Sequence, residues 1–168
     1  MLSLTINNIK DFMSVLLRSD QFDHFLLKEA TIVTNVSTHL DGRIPEGFYT
    51  KEDLAELSLN ESEYIPYGMI KNTCFELIKG KRTPVSFKFV FLLSHDHTEK
   101  IKENAGINFD PSAVTNMCFI CSFSGGKLTV TDGISYQTFV PNHDLDKALD
   151  NFLKNYLNTL NISFEETI

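Results

Sequence analysis

The chain of 168 residues contains no tryptophan and only three cysteines, Cys74, Cys118 and Cys121. An odd, small number of thiols without framework spacing excludes a disulfide-stapled scaffold and points to a reducing compartment. Proline is scarce at five residues and glycine at eight, and no linker or low-complexity tract divides the chain. Hydrophobic runs are short. None approaches the roughly 18 consecutive apolar residues of a membrane span, and Met1–Ile6 lacks the charged start and apolar stretch of a signal peptide. These absences predict a cytoplasmic protein with no membrane partner. The Asn-x-Ser triplets at Asn35, Asn60 and Asn161 would then meet no glycosylation machinery. An excess of positive charge is missing as well: 15 basic and 22 acidic residues leave a net charge of −7. That disfavours whole-surface attraction to nucleic acid, while leaving room for a local basic patch.

Catalytic signatures are also absent. There is no Gly-x-Ser-x-Gly elbow, His-Glu-x-x-His helix, Gly-x-Gly-x-x-Gly turn or Gly-Lys-Ser/Thr loop. No catalytic residue, metal ligand or cofactor is assigned on this reading, which leans away from an enzyme.

What is present is phenylalanine, at 14 residues, much of it in alternating runs that suit a sheet-based aromatic core. Met1–Ile6 alternates as a short strand. Asn7 or Asn8 can cap a helix whose stripe is Ile9, Phe12, Met13, Leu16 and Leu17, ending near Ser19. Phe25–Val36 reads as a central or bulged strand. Leu40–Arg43 reads as a turn around Gly42, with a short extended piece at Ile44–Tyr49. Thr50 opens a capping box closed by Asp53, and Pro66 suits the start of a second helix ending before Gly80. Val85–Leu93 is the clearest strand, with Phe87, Phe89 and Phe91 on one face. A short helix at Thr98–Ala105, a loop at Asn108–Ser112 and a three-strand meander follow. The meander is Thr115–Phe123, Leu128–Thr131 and Ile134–Val140, with turns at Gly125-Gly126 and Asp132-Gly133, closed by Pro141-Asn142. Leu145 to Leu160 carry the stripe of a last helix, and Ser163–Ile168 reads as a frayed tail.

The predicted fold is therefore α+β, a mainly antiparallel Phe-rich sheet covered by amphipathic helices, in one domain over 1–168. Two halves, 1–49 and 85–140, echo each other as strand, helix and further strands, with a helical insertion at 50–80.

Four features carry candidate chemistry. Lys79, Lys81, Arg82 and Lys88 cluster around Lys79-Gly80-Lys81-Arg82-Thr83-Pro84. Such a loop can hold an anionic partner through charge-assisted hydrogen bonds. It can equally be a helix C-cap whose cations complement the dipole. Cys118-Phe119-Ile120-Cys121 resembles a redox or zinc pair, but residues three apart on a strand face opposite ways. His95-Asp96-His97 can share a metal along an extended edge or begin a helix. Tyr64-Ile65-Pro66-Tyr67-Gly68 can line a groove or form a packed entry to a helix.

With Lys79–Lys88, Lys10-Asp11-Phe12-Met13 and Phe22-Asp23-His24-Phe25, the chain resembles a family of uncharacterised proteins from Clostridia-type bacteria. The resemblance implies a cytoplasmic bacterial protein and no assigned activity. The twice-written strand–helix order and the Gly-Lys-Leu-Thr-Val-Thr-Asp stretch are similar, more loosely, to one domain of a DNA sliding clamp. That likeness implies DNA-facing helices at Asn8–Ser19 and Thr98–Ala105, although few cations stand there. Three functions follow: a non-enzymatic binding or scaffold domain, contacting a protein partner or a second copy through the basic loop or a sheet edge; a clamp-like nucleic-acid protein; and an enzyme assembled around His95, Asp96 and His97.

Overall fold

The computed structural model describes residues 1–106, 111–140 and 143–167. Its strands are β1 (Ser3–Ile6), β2 (Leu26–Val33), β3 (Ser37–Asp41), β4 (Ile65–Pro66), β5 (Ser86–Leu92), β6 (Val114–Ser124), β7 (Lys127–Tyr136) and β8 (Phe164–Glu166). Its helices are α1 (Ile9–Arg18), α2 (Lys51–Glu56), α3 (Lys71–Ile78), α4 (His95–Ala105) and α5 (Asp144–Thr159). The strands form one eight-stranded sheet in the order β3-β2-β5-β6-β7-β1-β8, with β4 also on β2. Every named pairing is antiparallel. The α+β, antiparallel, Phe-rich architecture expected from the alternation is the one observed.

Alternation explains the layering. Phe87, Phe89 and Phe91 of β5 face the same side as Met117, Phe119, Cys121 and Phe123 of β6. Onto this face α1, α3, α4 and α5 pack their apolar stripes, in one buried cluster. The aromatic rings interlock there: Phe89 stacks on Phe91 at 5.8 Å, and Phe119 meets Phe25 edge-on at 5.8 Å. The opposite face carries rows such as Thr31–Lys88–Ser122–Thr129–Thr5. Within the helical layer α1 packs on α3, and α4 packs on α5.

Local chemistry sets the helix starts. The Asn8 side chain accepts from the Asp11 amide at 3.1 Å. Thr50 and Asp53 close a reciprocal capping box. Ser94 caps α4, which therefore begins at His95, three residues before the expected Thr98.

Several expectations are corrected. Asp132-Gly133 is not a turn. β7 runs unbroken through it, because continuous pairing from Ser124↔Lys127 to Met117↔Ile134 outweighs the local turn preference. Pro66 ends in β4, followed by a 3-10 turn at Tyr67–Met69, and α3 starts only at Lys71. Ile44–Tyr49 is not a strand; Arg43 forms only an isolated bridge to Tyr64. Ser163–Thr167 is no frayed tail, since β8 pairs with β1 and Ile162 is buried. The residues expected to close the sheet, Pro141-Asn142, and most of the expected Asn108–Ser112 loop lie outside the described residues.

Gly42 serves a purpose other than the expected turn. β3 leaves β2 near a bulge at Leu27/Glu29, and β4 takes its place on the same edge. At this handover a Cβ on residue 42 would stand 1.7 Å from the Leu27 carbonyl oxygen. Only glycine permits that backbone approach.

The strand–helix–strand–strand order does occur twice, as β1-α1-β2-β3 and β5-α4-β6-β7. The pairings differ: β5 neighbours its own β6, whereas β1 neighbours β7 and not β2.

Candidate functional site: a basic-rimmed groove and a buried carboxyl

α1 carries three stripes at helical spacing. Phe12 and Leu16 enter the core. Ile9, Met13 and Leu17 lie beside them, and exposed Lys10, Ser14 and Arg18 come next. This middle stripe is buried at Leu17 but only partly covered at Ile9 and Met13. It forms one wall of a trough that Phe75 and Ile78 of α3 continue. The loop after α3 closes the trough. Lys79 is the C-cap of α3, Gly80 follows, and Lys81 to Pro84 run along the side, above Phe87 and Phe123. Three adjoining depressions share these residues, the central one about 350 Å³.

The rim is cationic: Lys10, Arg18, Lys79, Lys81 and Arg82. Lys79 is paired with Glu76 at 2.6 Å, and the Arg18 guanidinium lies over the Phe75 ring at 5.9 Å. Among the described residues no ion pair holds Lys10, Lys81 or Arg82. In a chain of net charge −7, this concentration of unneutralised positive charge is a local exception.

Of the four basic residues singled out in sequence, the structure brings Lys79, Lys81 and Arg82 together on this rim. Lys88 is not with them. It is exposed on β5 between the buried Phe87 and Phe89, so it points from the opposite face of the sheet. Lys10 and Arg18 were missed. Their i, i+8 spacing beside the Ile9–Met13–Leu17 stripe was visible, but nothing in the sequence placed α1 against the Lys79–Pro84 loop.

The second feature is Asp132, the one buried charged or polar residue among those described, 1% exposed on the core face of β7. Its Oδ1 accepts from the Leu2 amide at 2.8 Å. Among the described residues its Oδ2 has no hydrogen-bond partner, and the Asp150 carboxyl of α5 lies close enough to act on it. A carboxyl buried in this way beside a second carboxyl favours its protonated form. Burial, opposed by the Leu2 amide and reinforced by Asp150, pushes Asp132 up to about 7. Four residues further along β7, the Tyr136 hydroxyl donates to Asp146 Oδ2 at 3.2 Å. Burial first, then that carboxylate, raises Tyr136 to about 12. The sequence signal was the inward series Leu128, Val130, Asp132, masked by reading Asp-Gly as a turn.

The remaining motifs resolve separately. His95, Asp96 and His97 occupy the first turn of α4, with His95 and Asp96 exposed. His97 turns away from them, toward His24 at 5.1 Å and Phe152 at 5.3 Å between ring centres. Its Nδ1 lies 3.0 Å from Ser94 Oγ. Burial, then His24 and Lys100, lower its pKa against the pull of Asp96. Among the described residues no group of three or more His, Cys, Asp or Glu is arranged to hold a metal ion. Cys121 is buried on the core face, whereas Cys118 is half-buried on the other face of β6. Tyr67 is fully buried, its hydroxyl donating to the Leu16 carbonyl at 3.0 Å.

An apolar pocket of about 260 Å³ lies under the Ile44–Tyr49 segment, walled by Leu27, Leu40, Ile65 and Ile70. The polar groups at its mouth are already engaged: Arg43 pairs with Glu63 at 2.7 Å and Asp41 accepts from the Arg43 amide at 3.0 Å.

A family model, that of a family of unknown function (DUF5721), matches residues 15–165. The chain belongs to this family. The match runs from within α1 to β8, and so includes the Lys79–Pro84 loop and the Asp132–Asp150 pair but not Lys10. An uncharacterised family is what the resemblance in sequence implied. No curated protein and no solved structure matches the chain. No helix among the described residues is long and apolar enough to cross a membrane.

Proposed function

We propose that this chain is a non-enzymatic binding domain whose contact surface is the groove between α1 and the Lys79–Pro84 loop. The observation that carries the reading is the apolar trough edged by Lys10, Lys81 and Arg82, none of them neutralised by an ion pair among the described residues. Burying an unpaired charge is costly unless a partner supplies the opposite one, so an anionic partner gains contact area and charge pairing together. The β8 edge of the sheet suits binding less well. β8 is short and carries Glu165 and Glu166, the acidic guard that keeps edges from pairing. Three free cysteines support a cytoplasmic setting.

The test is a quantitative capture from native lysate with the wild type and a Lys81→Glu/Arg82→Glu variant. A partner set that the variant loses supports the groove. An identical set on both baits removes Lys81 and Arg82 from the binding surface. A clamp-like role on DNA draws support from the repeated strand–helix–strand–strand order. It is weakened because α1 and α4, the helices that would face DNA, pack on different neighbours. Binding to duplex DNA at low salt, falling with a steep log–log salt slope, would favour it over a protein partner.

A further inference from the structure

We propose that the occupant of this groove is an acidic amphipathic helix of a partner protein. The inference rests on the reading of the groove as the binding surface and adds the chemistry of what fills it. The first argument is shape. The trough runs along α1, whose 10 residues span about 15 Å, and two of its depressions share the wall from Ile9 to Leu17. A ligand that fills it is elongated, with a length of two to three helical turns, rather than a compact small molecule.

The second argument is the floor. Ile9, Met13, Phe75 and Ile78 are apolar and only partly covered. They offer holes for aliphatic or aromatic side chains spaced i, i+3/i+4, i+7, as in helix-in-groove recognition. Nucleic acid presents no such stripe. Its bases call for flat aromatic platforms, and its phosphates require a groove that is charged throughout. The third argument is charge complementarity. Lys10, Lys81 and Arg82 gather where α1 begins, and Arg18 stands alone at its other end. A helix bearing Asp and Glu on both flanks of its apolar stripe pairs with this rim, most densely at the Lys10 end.

The test uses the full chain and a displayed library of 16-residue helix-biased peptides. Selection on wild type is subtracted by selection on Lys81→Glu/Arg82→Glu, whose two altered side chains are exposed; circular dichroism verifies that the variant is folded. The expected result is enrichment of sequences with apolar residues at i, i+3/i+4 and i+7 flanked by Asp and Glu. The winners should bind the variant at least tenfold more weakly, and Met13→Ser severalfold more weakly, in fluorescence anisotropy. Enriched sequences lacking that period or those acids, or affinity unmoved by Met13→Ser, would overturn the helix. A 20-nucleotide single strand and phosphatidylglycerol vesicles run in parallel. If either binds more tightly than the best peptide and is lost in the charge-reversed variant, the helix is wrong and the groove reading stands. If no probe distinguishes wild type from the variant, both fall.

Discussion

Replacing Asp132 by asparagine should stabilise the protein at neutral and alkaline pH and leave it unchanged in acid. Asp132 is 1% exposed, its Oδ1 is committed to the Leu2 amide at 2.8 Å, and the Asp150 carboxyl is its neighbour. Its carboxyl is raised from an ordinary 3.8 to about 7. A raised carboxyl means that the folded state binds a proton that the unfolded chain has already released between those two values. Stability contributed by the protonated Asp132 carboxyl is therefore present in acid, falls as pH rises from about 4 to about 7, and is gone above that. At 1.36 kcal/mol per pH unit the whole interval amounts to about 4 kcal/mol, an upper bound. Asparagine keeps the acceptor for Leu2, supplies a donor for Asp150 and carries no charge. We expect Asp132→Asn to gain about 2–4 kcal/mol at pH 8 and less than about 0.5 kcal/mol at pH 4. Urea denaturation at both pH values measures this. With a slope of roughly 2 kcal/mol/M the pH 8 midpoint should rise by about 1–2 M. A variant destabilised at pH 8, or one whose gain is the same at both pH values, would refute the account of a buried, protonated Asp132.

Other changes test the fold and the rim. Gly42→Ala forces a Cβ to within 1.7 Å of the Leu27 carbonyl oxygen and should cost more than about 3 kcal/mol, read as a large drop in Tm. Tyr67→Phe removes the buried hydroxyl that donates to the Leu16 carbonyl at 3.0 Å, and chemical denaturation should show a loss of about 1–2 kcal/mol. Phe89→Ala opens a cavity where the ring stacks on Phe91 and should cost about 3–5 kcal/mol. Lys81→Glu/Arg82→Glu should change stability by less than about 0.5 kcal/mol, because both side chains are exposed; a larger loss in a thermal melt would mean the loop is part of the packing.

The sheet was legible where one face is buried. Val85–Leu93 and Thr115–Phe123 alternate cleanly, and the observed β5 and β6 match them within a residue or so at each end. Caps were legible where the chemistry is local, as at Asn8 and at the Thr50–Asp53 box. The errors came where long-range pairing overrides a local preference. Asp132-Gly133 has turn composition, but ten residues of β7 paired along β6 hold it extended. Gly42 reads as a turn glycine, yet its role is set by the Leu27 carbonyl fifteen positions away in sequence. The candidate site was half legible for the same reason. Lys79, Lys81 and Arg82 stand together in the chain, whereas Lys10 joins them only when α1 packs on α3. Lys88 is close in sequence and across the sheet in space, since one residue's step along a strand changes the face.

The central claim, that the groove between α1 and the Lys79–Pro84 loop is the binding surface, is tested most directly by amide hydrogen exchange. The protein is compared free and with a partner retained by wild type and lost by Lys81→Glu/Arg82→Glu. Slowed exchange confined to residues 9–18 and 75–84 is the predicted result. Protection on the β3 or β8 edge, or over the Thr31–Lys88–Ser122 face, with residues 9–18 unchanged, would contradict it.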